Sequence, residues 1–141
     1  MRKYFVIVVL AAVFYACKTY TITPENLKEQ LSKAEPGLQN VEINNPVFFG
    51  NISYQANKLK KVYVIDKDGK LDVLQNSPAL EMRVTLKNNK RYNFYFDTVV
   101  IKDDTLAGGR SRFIGSLKRK IPFDSIQKIE IQDGGKKFEY Q

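Results

Sequence analysis

Apolar and polar positions alternate by twos over most of this chain, and by threes and fours over one short stretch near its start. In that stretch Leu27, Leu31 and Ala34 recur at helical spacing and give one apolar face. Thr23-Pro24-Glu25-Asn26 reads as the helix start: Thr caps, Pro suits the first helical position, and Glu in the first turn complements the dipole. Glu35-Pro36-Gly37 ends the run. The spacing predicts one helix of about three turns that packs its apolar face on its own domain.

From about Val41 onward the pattern belongs to strands and turns. Val62-Tyr63-Val64-Ile65, then Asp66-Lys67-Asp68-Gly69-Lys70, then Leu71-Asp72-Val73-Leu74 is a hairpin phrase, with Gly supplying positive φ. Met82, Val84 and Leu86 lead into Asn88-Asn89-Lys90 and out along Tyr92, Phe94 and Phe96. A third phrase runs from Ile129 and Ile131 through Gln132-Asp133-Gly134-Gly135-Lys136 to Phe138 and Tyr140. Three such phrases predict an antiparallel meander. Alternation changes face near Asp97-Thr98, where a bulge or bend is expected, and in Ile121-Pro122-Phe123-Asp124-Ser125-Ile126 the Pro stops a strand before Lys128-Ile129-Glu130-Ile131 resumes alternation.

The predicted class is therefore mainly β (α+β), one N-terminal helix followed by an antiparallel meander. A hairpin, a long bent strand, a Pro-marked turn and a final strand resemble an Sm-like small barrel over roughly residues 80 to 132. That resemblance is one of topology and implies a closed alternative to a twisted sheet or sandwich.

Composition narrows the chemistry. In 141 residues there is no histidine, which removes the commonest general base and transition-metal ligand, and with it Ser-His-Asp, Cys-His and zinc sites. A single cysteine allows no intrachain disulfide. The formal charge of +8 stays positive when Arg2 and Lys3 are set aside, which suits anionic partners but is also ordinary solubilising charge. One domain is the expectation for this length.

The cysteine has a telling position. Met1-Arg2-Lys3 is a short positive start, Tyr4 to Phe14 is almost continuously apolar, and Tyr15-Ala16-Cys17 follows before polar sequence begins at Lys18. The apolar run is well short of the ~20 residues that span a bilayer. This layout resembles the lipobox signal peptide of bacterial lipoproteins, in the relaxed form with bulky residues (here Phe14 and Tyr15) familiar among the Bacteroidota. The resemblance implies cleavage between Ala16 and Cys17, a diacylglyceryl group on the Cys17 thiol and acylation of the new amino terminus. It also implies, from Lys18 in place of Asp, delivery to the outer membrane, and from the lack of acidic residues after Cys17, the periplasmic face. The expected organisation is a signal peptide over 1–16, a lipidated tether over 17–23 and a single mainly-β domain over 24–141.

Three further stretches carry chemically capable residues. Asp66-Lys67-Asp68-Gly69 is similar to the start of a calcium loop, but Gln75 stands where that loop needs Glu, so a hairpin turn is the better reading. Asp103-Asp104 are adjacent, and adjacent strand residues point to opposite faces, so they read as turn residues. Gly108-Gly109 suggests a mobile loop beside the densest basic region, Arg110, Arg112, Lys118, Arg119 and Lys120, a candidate clamp for anions. Phe113 is its one local aromatic, too few for a nucleic-acid stacking platform. The functional expectation is thus a membrane-anchored envelope lipoprotein with a structural or binding role, no catalytic activity, no cofactor and no metal. Its partners would be the membrane through the lipid and an envelope protein or anionic glycan, with no nucleic acid. The alternative is an anion-binding module recognising lipopolysaccharide, peptidoglycan or an acidic partner through the basic loop.

Overall fold

The computed structural model describes residues 18–44, 50–112, 114–134 and 138–141; Ala16, Cys17 and the apolar run before them lie outside the described residues, as does Phe113. Strand β1 (Thr19–Ile22) comes first, with Tyr20 and Ile22 buried and their neighbours exposed. Thr19–Ile22, within the span expected as a tether over 17–23, thus form a strand. Helix α1 (Pro24–Lys33) begins as its sequence requires: the Thr23 hydroxyl accepts from the Asn26 N–H at 3.2 Å, and Pro24 opens the first turn. Leu27 is fully buried and Leu31 packs against the same core, while Ala34 falls just beyond the helix as its C-cap.

Strands β2 (Leu38–Asn44) and β3 (Asn51–Asn57) form a separate two-stranded ribbon. Strands β4 (Lys61–Ile65) and β5 (Leu71–Gln75) are the first expected hairpin. Its turn is closed by Asp66, whose Oδ1 accepts from the N–H groups of Asp68 and Lys70, both at 2.9 Å, with Gly69 at φ 80°. Strands β6 (Leu80–Leu86) and β7 (Arg91–Tyr95) are the second, turning at Asn89 with φ 67°. The expected bend at Asp97 is a single 3-10 turn over Phe96–Thr98. Strands β8 (Val100–Lys102), β9 (Thr105–Gly109) and β10 (Lys118–Pro122) then form a three-stranded sheet. Asp103 and Asp104, at φ 51° and 53°, make the tight turn between β8 and β9. A second 3-10 turn, Phe123–Ser125, follows Pro122 and leads into β11 (Ile126–Asp133).

The largest sheet has the order β5-β4-β1-β11-β6-β7, antiparallel throughout. It is not a simple meander, because the first and last strands lie side by side at its centre and join the two hairpins. For the same reason the third expected hairpin does not form. Strand β11 has β1 on one edge and β6 on the other, which leaves no edge for a partner. Instead Gly134 N–H donates to the Ala79 carbonyl at 2.9 Å, and Tyr140 bridges to Ile43 of the ribbon; Gly135 and Lys136 lie outside the described residues. The chain bends between β7 and β8, and among the described residues the six- and three-stranded sheets stay separate, so the closed small barrel expected as an alternative over residues 80 to 132 does not form.

One apolar cluster joins these layers. Tyr20, Ile22, Val62, Val64, Met82, Val84, Ile129 and Ile131 come from the large sheet, Phe96, Val99, Leu106 and Ile121 from the bend and the small sheet, and Leu27 from the helix. The helix also finishes a sheet edge. Beyond the β1–β4 pairing at Thr21 and Ile65, the Tyr63 backbone meets the Gln30 amide, which accepts from the Tyr63 N–H at 2.8 Å and donates to its carbonyl at 2.9 Å. A side chain thus takes the place of the missing strand.

Candidate functional site

The basic region sits on the β9–β10 hairpin. Gly108 and Gly109 are buried members of β9 and not a mobile loop as their sequence suggests. A Cβ on Gly108 would meet Phe94 Cδ1 at 2.8 Å and Val99 Cγ2 at 3.3 Å, so only glycine lets β9 approach β7 this closely. Gly109 N–H donates to Thr98 Oγ1 at 2.8 Å, tying the hairpin to the bend. Above it the ladder continues through the Arg110 N–H and Leu117 carbonyl at 2.9 Å, with Ser111, Arg112 and Ile114 to Leu117 at the tip.

The five candidate anion-binding residues do not converge. Arg112 turns inward and is 6% exposed, so it is withdrawn from any surface clamp. Its Nη2 donates to Asp97 Oδ1 at 3.2 Å and to the Pro78 carbonyl. The guanidinium carbon lies 3.8 Å from the centroid of Tyr95 and 5.3 Å from those of Tyr54 and Phe138. Nε and Nη1 have no hydrogen-bond partner among the described residues, and the ring faces around them supply the compensating cation–π attraction. Arg119 is paired with Gly108 across the hairpin and lies over the Tyr92 ring at 4.2 Å. Arg110, Lys118 and Lys120 remain exposed, and none has an ion-pair partner among the described residues. Lys118 and Lys120 share one face of β10 by the two-residue strand period.

Asp97 is the centre of the buried polar network, and no sequence signal other than its place in the expected bend singled it out. It is completely buried at the 3-10 turn. Besides Arg112, its carboxylate accepts from the hydroxyl of Tyr54 and from that of Tyr140, the latter at 2.8 Å. Burial pushes the Tyr54 hydroxyl well above the usual phenol range, and the Asp97 charge adds to the rise. Burial, Asp97 and then Tyr54 do the same for Tyr140. Two neutral donors and one cation therefore surround one carboxylate. Asn57 fixes the same ribbon by donating to the carbonyls of Phe96 at 3.0 Å and Val99 at 2.9 Å. The arrangement is a structural clasp joining β3 and the C-terminal residues to the bend, with its polar groups facing one another.

A second set of cations lies outside the basic region that the sequence marks. Lys33, Lys58, Lys60 and Lys61 line an open groove of about 1040 Å³ with Asn57 and Tyr140. The run Lys58-Leu59-Lys60-Lys61 is its only local signal. Lys33 pairs with Glu29 at 2.5 Å, Lys58 with Glu35 at 3.8 Å, and Lys61 lies over the Tyr63 ring, so charge here is mostly committed. Asp104 is paired with Lys28, and Asp103 belongs to the tight turn. Among the described residues no three His, Cys, Asp or Glu are arranged to hold a metal, and no helix is long and apolar enough to cross a membrane.

No protein-family model matches the chain, and no curated protein or solved structure matches it either.

Proposed function

We propose that this chain is a lipoprotein of the bacterial envelope, tethered to the outer membrane at its periplasmic face through lipid on Cys17, with a structural or binding role. The observation that carries the reading is the order of Met1-Arg2-Lys3, an apolar run, Ala16 and the lone Cys17. Strand β1 starts at Thr19, so in this reading the lipid would be one residue away from the sheet. Two or three acyl chains, at ~0.8 kcal/mol per buried methylene, hold such a domain at a bilayer. The most buried carboxylate, Asp97, is fully engaged with Arg112 and two tyrosines, which favours a binding or structural role over catalysis.

Mass spectrometry of the N-terminal peptide from the membrane fraction tests this. Acylated Cys17 at the mature amino terminus is the expected result; an unmodified thiol, or residues 1–16 still attached, overturns it. The second reading, recognition of an anion, is favoured by Arg110, Lys118 and Lys120, three exposed cations without ion-pair partners among the described residues.

A further inference from the structure

The β9–β10 hairpin carries more than charge. From Thr105 to Phe123 there is no acidic residue, and at its tip two large apolar side chains face solvent, Ile114 52% exposed and Leu117 45% exposed. The exposed cations Arg110, Lys118 and Lys120 flank that tip. Leu71 is more exposed still at 70%, but its hairpin carries Asp66, Asp68 and Asp72, whereas the β9–β10 tip joins exposed apolar side chains to charge of one sign. Their chemistry matches an anionic bilayer surface, where the apolar groups enter the headgroup boundary and the cations meet phosphates.

The sheet places this tip at the end where the chain enters. Thr19 is opposite Gln132, Gln132 opposite Glu81, and Glu81 opposite Tyr95. Three steps of about 4.8 Å put Thr19 roughly 14 Å from Tyr95 in the same cross-strand row. Tyr95 is the residue on which Arg112 of the hairpin tip stacks. Only Lys18 separates Cys17 from Thr19, a span of at most about 7 Å.

We infer that the β9–β10 hairpin is a second membrane contact, inserting Ile114 and Leu117 at an anionic lipid surface with Arg110, Lys118 and Lys120 on the headgroups. Its orientation rests on the proposed Cys17 tether, whereas its affinity for lipid does not. Arg112 acts as the root of this contact: its burial against Asp97 and Tyr95 pins the loop to the end of the sheet.

The test uses residues 18–141 without acylation; this span contains the core cluster of the described residues, from Tyr20 to Ile131. Cosedimentation with phosphatidylcholine vesicles is compared with vesicles that also contain phosphatidylglycerol. Binding only to the latter, weakened by salt, is expected. Since each cation near an anionic surface raises partitioning roughly fivefold, the triple change Arg110→Gln, Lys118→Gln, Lys120→Gln should lower binding by at least about tenfold. Ile114→Ser with Leu117→Ser should lower it comparably, and Lys60→Gln with Lys61→Gln, in the other basic groove, should not. All substituted positions in the hairpin are exposed, and melting curves are to check that the variants fold. Equal binding to both vesicle types, or equal losses from the hairpin and groove variants, overturns the inference. So does binding that dextran sulfate matches in solution and the Ile114/Leu117 change leaves intact, because the charges would then act without a bilayer. Acylation at Cys17 is read separately by mass spectrometry, so either idea can fail while the other stands.

Discussion

Arg112 holds Asp97 at 3.2 Å, and the two side chains are 2% and 0% exposed to solvent. A buried pair of this kind costs more to break than it contributes when intact, because removing one partner strands the other charge in a low-dielectric interior. Arg112→Ala and Asp97→Ala are each expected to lose about 3–5 kcal/mol in urea unfolding, with the double variant losing clearly less than the sum. Additive losses would show that the residues act independently.

Alkaline pH should loosen the same cluster. The raised pKa of Tyr54 and Tyr140 means that the unfolded chain releases these protons first. Stability from the two hydroxyls is therefore intact below the ordinary tyrosine value of about 10, and is lost as pH rises from there toward the folded values. The urea midpoint of the native chain should fall above that pH. The variant with Tyr54→Phe and Tyr140→Phe should start lower at neutral pH and fall less steeply.

Gly108→Ala should cost about 1–3 kcal/mol, as overpacking does, since its Cβ would press on Phe94 and Val99. Gly115→Ala, whose Cβ would meet nothing within 4 Å, should be nearly silent. Thermal unfolding of the two variants side by side checks the contrast.

Asn57→Ala should loosen the β2–β3 ribbon. Besides its two bonds to the bend, the Asn57 Oδ1 accepts from Asn76 Nδ2 at 2.8 Å and from the Leu59 N–H at 3.2 Å. The Phe96 carbonyl keeps the Val99 N–H at 3.0 Å, but the Val99 carbonyl, the Asn76 amide and the Leu59 N–H all lose their bonds to Asn57, which should cost about 1–3 kcal/mol. Hydrogen exchange should speed up in β2 and β3 before it does in β6 and β11.

Elements held by their own sequence were readable from it. Thr23-Pro24 starts the helix, Asp66 and Gly69 close one hairpin, Asn89 closes another, and Asp103-Asp104 turn where two adjacent carboxylates suggest a turn. What could not be read depends on distant partners. Thr19 to Ile22 resembles a polar tether until Ile129, Ile131 and Ile65 are placed beside it. Gly134 and its neighbours have turn chemistry, yet both edges of β11 are already taken. The basic run is visible as charge, but whether each cation faces water was decided by Tyr95, Asp97 and Tyr92, which lie in other elements. Gly108 is glycine for a packing reason that only Phe94 reveals.

The pairing of β1 with β11 also imposes an order on folding. A chain made from its N-terminus has β1 in hand long before β11 exists, so the strand at the centre of the sheet waits for a partner more than a hundred residues later. The β4–β5 and β6–β7 hairpins close short loops and are free to form early. Joining them is the step of highest contact order, and therefore the slow one. Loss of the final strand should leave two intact hairpins with no seam between them.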